Sequence, residues 1–142
     1  MKIKGNAAIV SALMSHILTW VALLWLLLWP YSYRGVKTEA TVPGELPGPS
    51  TEVHASFLAV NGLRVIPILL IPVAITAILL AVTASKHSRK TTTIAAWTLV
   101  SVLLFFCVLG VFSIGPLYLP AALAAAVTAF MLLRRKPELA DH

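Results

Sequence analysis

The stretch AAIVSALMSHILTWVALLWLLLW, Ala7–Trp29, decides how the whole chain is read. It contains no Asp, Glu, Lys or Arg. As a helix rising 1.5 Å per residue it would be about 34 Å long. A hydrocarbon slab is about 30 Å thick, so this run is long enough to cross one. Outward from it, three more uncharged apolar runs follow: Val65–Ala84, Ile94–Ser113 and Leu117–Leu133. Each is near the span length of about 20 residues. The chain therefore reads as an all-α membrane protein. Its expected architecture is a four-helix transmembrane bundle in a single domain, residues 1–142, with a short extracytoplasmic loop or cap near residues 30–64.

Composition points the same way. Of 142 residues, 59% are hydrophobic and 11% charged, and the mean hydropathy is +0.92. Soluble domains carry about 25% charged residues, so a soluble domain is excluded. The net charge of +6 raises nucleic acid as a partner, but the cations stand at the ends of the apolar runs and not on a folded basic surface. Lys2 and Lys4 precede the first run. Lys86, Arg89 and Lys90 lie between the second and third, and Arg134, Arg135 and Lys136 follow the fourth. Arg34, Lys37 and Arg64 lie between the first and second runs. Cytoplasmic loops carry the excess of Lys and Arg, so both termini and the 86–90 loop are expected in the cytoplasm. The six cations of the second-to-third connection and the end of the fourth run are candidate contacts for anionic lipid head groups, each worth about 1 kcal/mol near such a surface.

Lys2 and Lys4 would also suit a signal peptide, whose apolar core is about 7–15 residues. Ala7–Trp29 is longer and lacks a small-residue cleavage pattern before Trp29-Pro30, so an uncleaved span is expected. Trp20, Trp25, Trp29, Tyr31 and Tyr33 crowd its end, and such rings favour the membrane–water boundary. Pro30 suits a helix stop, because proline pushes the preceding residue away from helical geometry.

The polar stretch 30–64 holds the turn cluster Pro43–Ser50 and an alternation of Val36, Thr38, Ala40 and Val42 with Lys37, Glu39 and Thr41. Alternation at period two signals a strand. Val53–Val60 is expected to return as a second strand or as a short interfacial helix, with a turn at Asn61-Gly62. In the second span, Pro67 falls in the first turn and Pro72 lies deeper, where it removes one backbone bond and kinks the helix. Thr91, Thr92 and Thr93 offer hydroxyl caps to the third span. Ser113-Ile114-Gly115-Pro116 reads as a tight turn between antiparallel neighbours, with Pro120 in the opening turn of the fourth span.

Small residues mark where membrane helices approach closely. Ala8, Ala12, Ser15, Thr19 and Ala22 recur at spacings of four and three; so do Ala74, Ala77, Ala81 and Ala84, and then Ala122, Ala126 and Ala129. These are the expected packing seams, and their 3.5 period predicts left-handed crossings near +20°.

Two stretches carry a resemblance. One is Asn61-Gly62 leading into Val65–Val73 with its two prolines; the other is Phe112-Ser113-Ile114-Gly115-Pro116-Leu117-Tyr118-Leu119-Pro120-Ala121-Ala122. With the four-run layout, the chain resembles small uncharacterised four-span bacterial integral membrane proteins. That resemblance implies a bacterial cytoplasmic membrane and brings no assigned activity with it.

The chemistry is sparse. His16, beside Ser15 and Thr19, is an ionisable group inside a span, and such groups are functional-site candidates. A neutral histidine can equally bond a hydroxyl or carbonyl of its neighbours, and Ser11, Ser15 and Thr19 can each bond their own helix. His16, His54, His87 and His142 show no zinc-type spacing, and Glu52 with His54 reads as a solvated loop pair. Glu39, Glu45 and Glu52 lack a pocket motif and read as solvated charges. Cys107, the single cysteine, cannot form an internal disulfide and reads as buried filler. No phosphate-binding glycine loop is present, and no span holds the carboxylate that proton-coupled exporters commonly use. No metal, cofactor or catalytic residue is expected, and the chain reads as a non-enzyme. The expected role is structural, accessory or interaction work in the cell membrane, with the bilayer as partner, as a homo-oligomer or a subunit of a larger complex. The alternative is a minimal channel or transporter, acting as an oligomer with His16 and the Pro72 kink lining the pathway.

Overall fold

The computed structural model describes residues 3–29, 33–37, 51–85, 88–112 and 114–134. In order these form helix α1 (Ile3–Leu28), strands β1 (Tyr33–Lys37) and β2 (Thr51–Ala55), a short helix α2 (Phe57–Asn61) and a 3-10 turn (Gly62–Val65). Helices α3 (Ile66–Ala84), α4 (Arg89–Leu109) and α5 (Gly115–Leu133) follow. Among the described residues, four helical segments are long and apolar enough to cross a membrane: Ala7–Leu28, Phe57–Ala84, Arg89–Leu109 and Gly115–Leu133. The chain forms two compact units, one from Met1–Ala22 and Leu70–His142, the other from Leu23–Leu69.

In the first unit the helices bury hydroxyl-bearing residues beside Leu79, Leu103 and Tyr118, and leave many large apolar ones exposed. Ser15, Thr19, Thr76, Thr83, Thr92 and Thr128 are buried, whereas Ile94, Phe105, Val108, Leu109 and Leu123 are exposed. Water would favour the reverse, with hydroxyls out and large aliphatics in. In lipid the outward Leu and Phe lose nothing, and close backbone packing supplies the association.

On α1 the buried positions are Ala8, Ala12, Ser15, Thr19 and Ala22. On α4 they are Thr92, Ala96, Val100, Leu103 and Cys107. On α5 they include Tyr118, Ala121, Ala122, Ala125, Ala129 and Leu132, with Ala126 half-buried. On α3 the buried face is not the alanine row. Val73, Thr76, Leu79 and Thr83 are buried, while Ala74, Ala77, Ala81 and Ala84 are exposed. The buried row carries the hydroxyls of Thr76 and Thr83, which bond carbonyls one turn back. Alanine tolerates the outward side, because a methyl group is as much at home against lipid tails as against protein.

Helix α4 starts five residues before Ile94. Ser88 caps it: its Oγ accepts from the Thr91 N–H at 3.3 Å and meets Thr91 Oγ1 at 2.8 Å. The threonines are therefore helical residues, not the cap, and Arg89 and Lys90 are good helix formers that extend the first turn. The turn to α5 also comes earlier than Ser113–Pro116. Gly110 ends α4, its N–H bonding the carbonyls of Phe106 and Val108, and Gly115-Pro116 already open α5. Proline suits the start of a helix, where its missing N–H costs nothing. Pro120 consequently lies inside α5, beyond the opening turn. At the junction of the two helices the glycines leave no room for a side chain. A Cβ on Gly115 would stand 2.7 Å from the Gly110 carbonyl carbon and 2.8 Å from its oxygen, and would collide with the Cys107 carbonyl. Phe106 and Tyr118 meet edge-on nearby, centroids 5.9 Å apart.

In the second unit, Trp25 and Trp29 stack with centroids 4.4 Å apart and planes 11° from parallel. They are i, i+4 neighbours at the end of α1, whose last turn closes with the Trp29 N–H on the Trp25 carbonyl. Strands β1 and β2 pair antiparallel, Tyr33 opposite Ala55 through Lys37 opposite Thr51. The first strand thus begins before the expected alternation, of which Thr38–Val42 lie outside the described residues, as does the turn cluster 43–50. Val53–Val60 takes both expected forms in succession. The strand runs to Ala55, then Ser56 caps α2, its Oγ accepting from the Ala59 N–H at 3.2 Å. Gly62 ends α2 at φ 64°, ψ −167°, a region essentially reserved for glycine.

Candidate functional site

The polar side chains of α1 converge with two other helices inside the first unit. Ser11 Oγ donates to the Ala124 carbonyl at 2.9 Å, and Ser15 Oγ donates to the Ala121 carbonyl at 2.8 Å. Both acceptors belong to the backbone of α5. They are reachable because Ala121, Ala122 and Ala125 put almost no side chain between the helices. Thr19 Oγ1 turns instead to its own helix, donating to the Ser15 carbonyl at 2.7 Å.

His16 faces α3. Its Nδ1 lies 3.1 Å from Thr76 Oγ1, and its Nε2 accepts from the Trp20 indole N–H at 3.1 Å. An indole nitrogen only donates, so Nε2 carries no proton. A neutral imidazole must then carry it on Nδ1, and Nδ1–H donates to Thr76. Thr76 passes its own hydroxyl hydrogen on, with the Pro72 and Val73 carbonyls each 3.0 Å away. All four groups thus bond in one sense: indole to imidazole, imidazole to hydroxyl, hydroxyl to backbone. The imidazole and indole rings meet edge-on, 6.3 Å apart.

The chain of bonds ends on the α3 backbone beside Pro72. The proline lies inside α3 and is buried. Its missing N–H leaves the Ile68 carbonyl without the usual helical donor. Thr76, four residues on, bonds back to the proline's carbonyl, so its hydroxyl is held in place and presents its lone pair to α1.

The sequence singled out His16, Ser15, Thr19 and Pro72, and the structure gathers them into one region. It adds Thr76 and Trp20. The signals for both were spacings of four residues, Pro72 to Thr76 and His16 to Trp20. The cations are placed separately. Arg89 Nη2 donates to the Leu133 carbonyl at 2.8 Å, tying the start of α4 to the end of α5. The Arg134 guanidinium lies 4.2 Å above the Phe130 ring. Lys90 is exposed. Lys86, Arg135 and Lys136 lie outside the described residues, as do His87, His142, Glu39 and Glu45. Cys107 is a buried free thiol. Among the described residues no three His, Cys, Asp or Glu side chains gather as a metal site would need. No family model, curated protein or solved structure matches the chain.

Proposed function

We propose that this chain is a small non-enzymatic protein of the bacterial cytoplasmic membrane, with both termini in the cytoplasm, acting through helix and loop contacts in a structural or accessory role. The observation that supports it is the closure of the polar cluster. Ser11, Ser15, Thr19 and Thr76 all spend their hydroxyl hydrogens on backbone carbonyls, and both ring nitrogens of His16 are engaged. A ligand site keeps convergent polar groups for its ligand; here Ser11, Ser15 and His16 link helices and the threonines bond their own backbone. The exposed Ala74, Ala77 and Ala81 support a partner or a second copy, because small residues let another helix approach.

The test is purification in mild detergent with identification of whatever co-purifies. A stable homo-oligomer or a defined partner is expected; a lone monomer throughout would remove the interaction role. In parallel, His16→Ala in liposomes should leave any ion leak unchanged. Loss of a measurable flux with intact folding would favour a channel or transporter instead.

A further inference from the structure

The described residues of the α4–α5 turn, Gly110, Val111, Phe112 and Ile114, carry no polar side chain. From Thr91 to Leu133 the sequence holds no charged residue, histidine, Asn or Gln. At the tip, Phe112 is 101% exposed and Val111 50%. A turn in water is normally polar, and it satisfies its backbone with solvent. Here three backbone N–H groups bond within the hairpin itself. The Gly110 N–H bonds the Phe106 carbonyl at 3.0 Å, Val111 N–H the Val108 carbonyl at 3.2 Å, and Gly115 N–H the Gly110 carbonyl at 2.7 Å. Internal satisfaction of that kind is what hydrocarbon demands of a backbone.

Length agrees. Arg89, Lys90 and Arg134 fix the other end of this hairpin, where charge must stay near the head groups. From Ile94 to Leu109 α4 rises about 24 Å, and even from Thr91 it rises about 28 Å. The hydrocarbon is about 30 Å thick, and tilt shortens the reach further. The turn residues add a few ångströms, so the hairpin is about as long as the hydrocarbon is thick, and tilt keeps its tip within the acyl region.

We propose that the α4–α5 turn, with Val111 and Phe112 at its tip, docks into the acyl chains of the leaflet opposite Lys90 and Arg134. The occupant of that surface is lipid tail, neither water nor protein. This rests on the membrane-spanning reading, and the experiment separates the two.

Phe112→Cys and Val111→Cys are made singly and reconstituted in phosphatidylcholine–phosphatidylglycerol vesicles, with Ser88→Cys as the surface control and the unaltered chain, whose Cys107 is buried, as the blank. A charged maleimide is applied to both vesicle faces. Labelling is expected at position 88 and lost at 111 and 112. A bimane attached at 112 in detergent before reconstitution should be quenched more by nitroxide on the acyl chains than by nitroxide on the head groups. Labelling at 112 comparable to the control, or stronger head-group quenching, would overturn the proposal. Absence of quenching by either lipid would also overturn it, since a protein would then cover the tip. Failure of the chain to stay with the vesicles would instead sink the membrane reading itself.

Discussion

Gly115 and Gly62 are held to glycine for different reasons. At Gly115 the constraint is space, since a methyl group would enter the backbone of Gly110 and Cys107. Overpacking of this kind costs about 1–3 kcal/mol. Gly115→Ala should therefore lower the melting temperature in detergent and loosen the α4–α5 hairpin. At Gly62 there is open space around the missing Cβ, and the constraint is the backbone angle alone. Thr76 offers a second test. Hydrogen bonds between membrane helices average about 0.6 kcal/mol and reach about 2. Thr76→Val removes the acceptor of the His16 Nδ1–H and should destabilise by that order, whereas Thr76→Ser keeps the hydroxyl and should stay near the parent in a thermal melt.

Helix by helix, the packing face depends on which small residues point inward. Ala122 and Ala129 are fully buried on α5, while Ala74 is exposed on α3. Ala122→Leu should push the serine hydroxyls of α1 off their carbonyls at a cost of about 1–3 kcal/mol. Ala74→Leu should leave monomer stability unchanged; a fall in oligomer or partner recovery with that variant would identify the outward row as a contact. The helices themselves were legible in the sequence, because uncharged runs of spanning length admit few other structures. The face of α3 was not. Spacing alone cannot separate two adjacent rows when both recur every three or four residues, and here the row with hydroxyls turned inward. Val53–Val60 was ambiguous for a similar reason: β-branched residues lead into Ser56, a good helix cap, so strand and helix follow one another. At the polar cluster, His16 and Pro72 stood out as a titratable group and a helix breaker within apolar runs. Thr76 did not, since a threonine in a span is ordinary until its partner on another helix is known.

For the molecule as a whole, the dominant fact is the distribution of apolar side chains. Phe105, Leu109, Leu123 and Leu133 lie on the outside while Thr19, Thr76, Thr83, Thr92 and Thr128 are buried. Such a surface should hold the chain in the membrane pellet through high-salt and alkaline washes, with release only by surfactant; recovery in the aqueous wash would contradict it. The cations bear on orientation. With Arg89, Lys90 and Arg134 at one end of the α4–α5 hairpin, reporters fused after Ser88 or at the C-terminus should both respond as cytoplasmic.

The single sense of bonding around His16 has one more consequence. Proton hopping along a row of side chains requires each member to take up a proton on one side and release one on the other. The indole of Trp20 has no lone pair to receive one, and it blocks Nε2 of His16. The Pro72 and Val73 carbonyls close the other end, so the row is a dead end for Grotthuss transfer, a fixed set of aligned dipoles and not a wire.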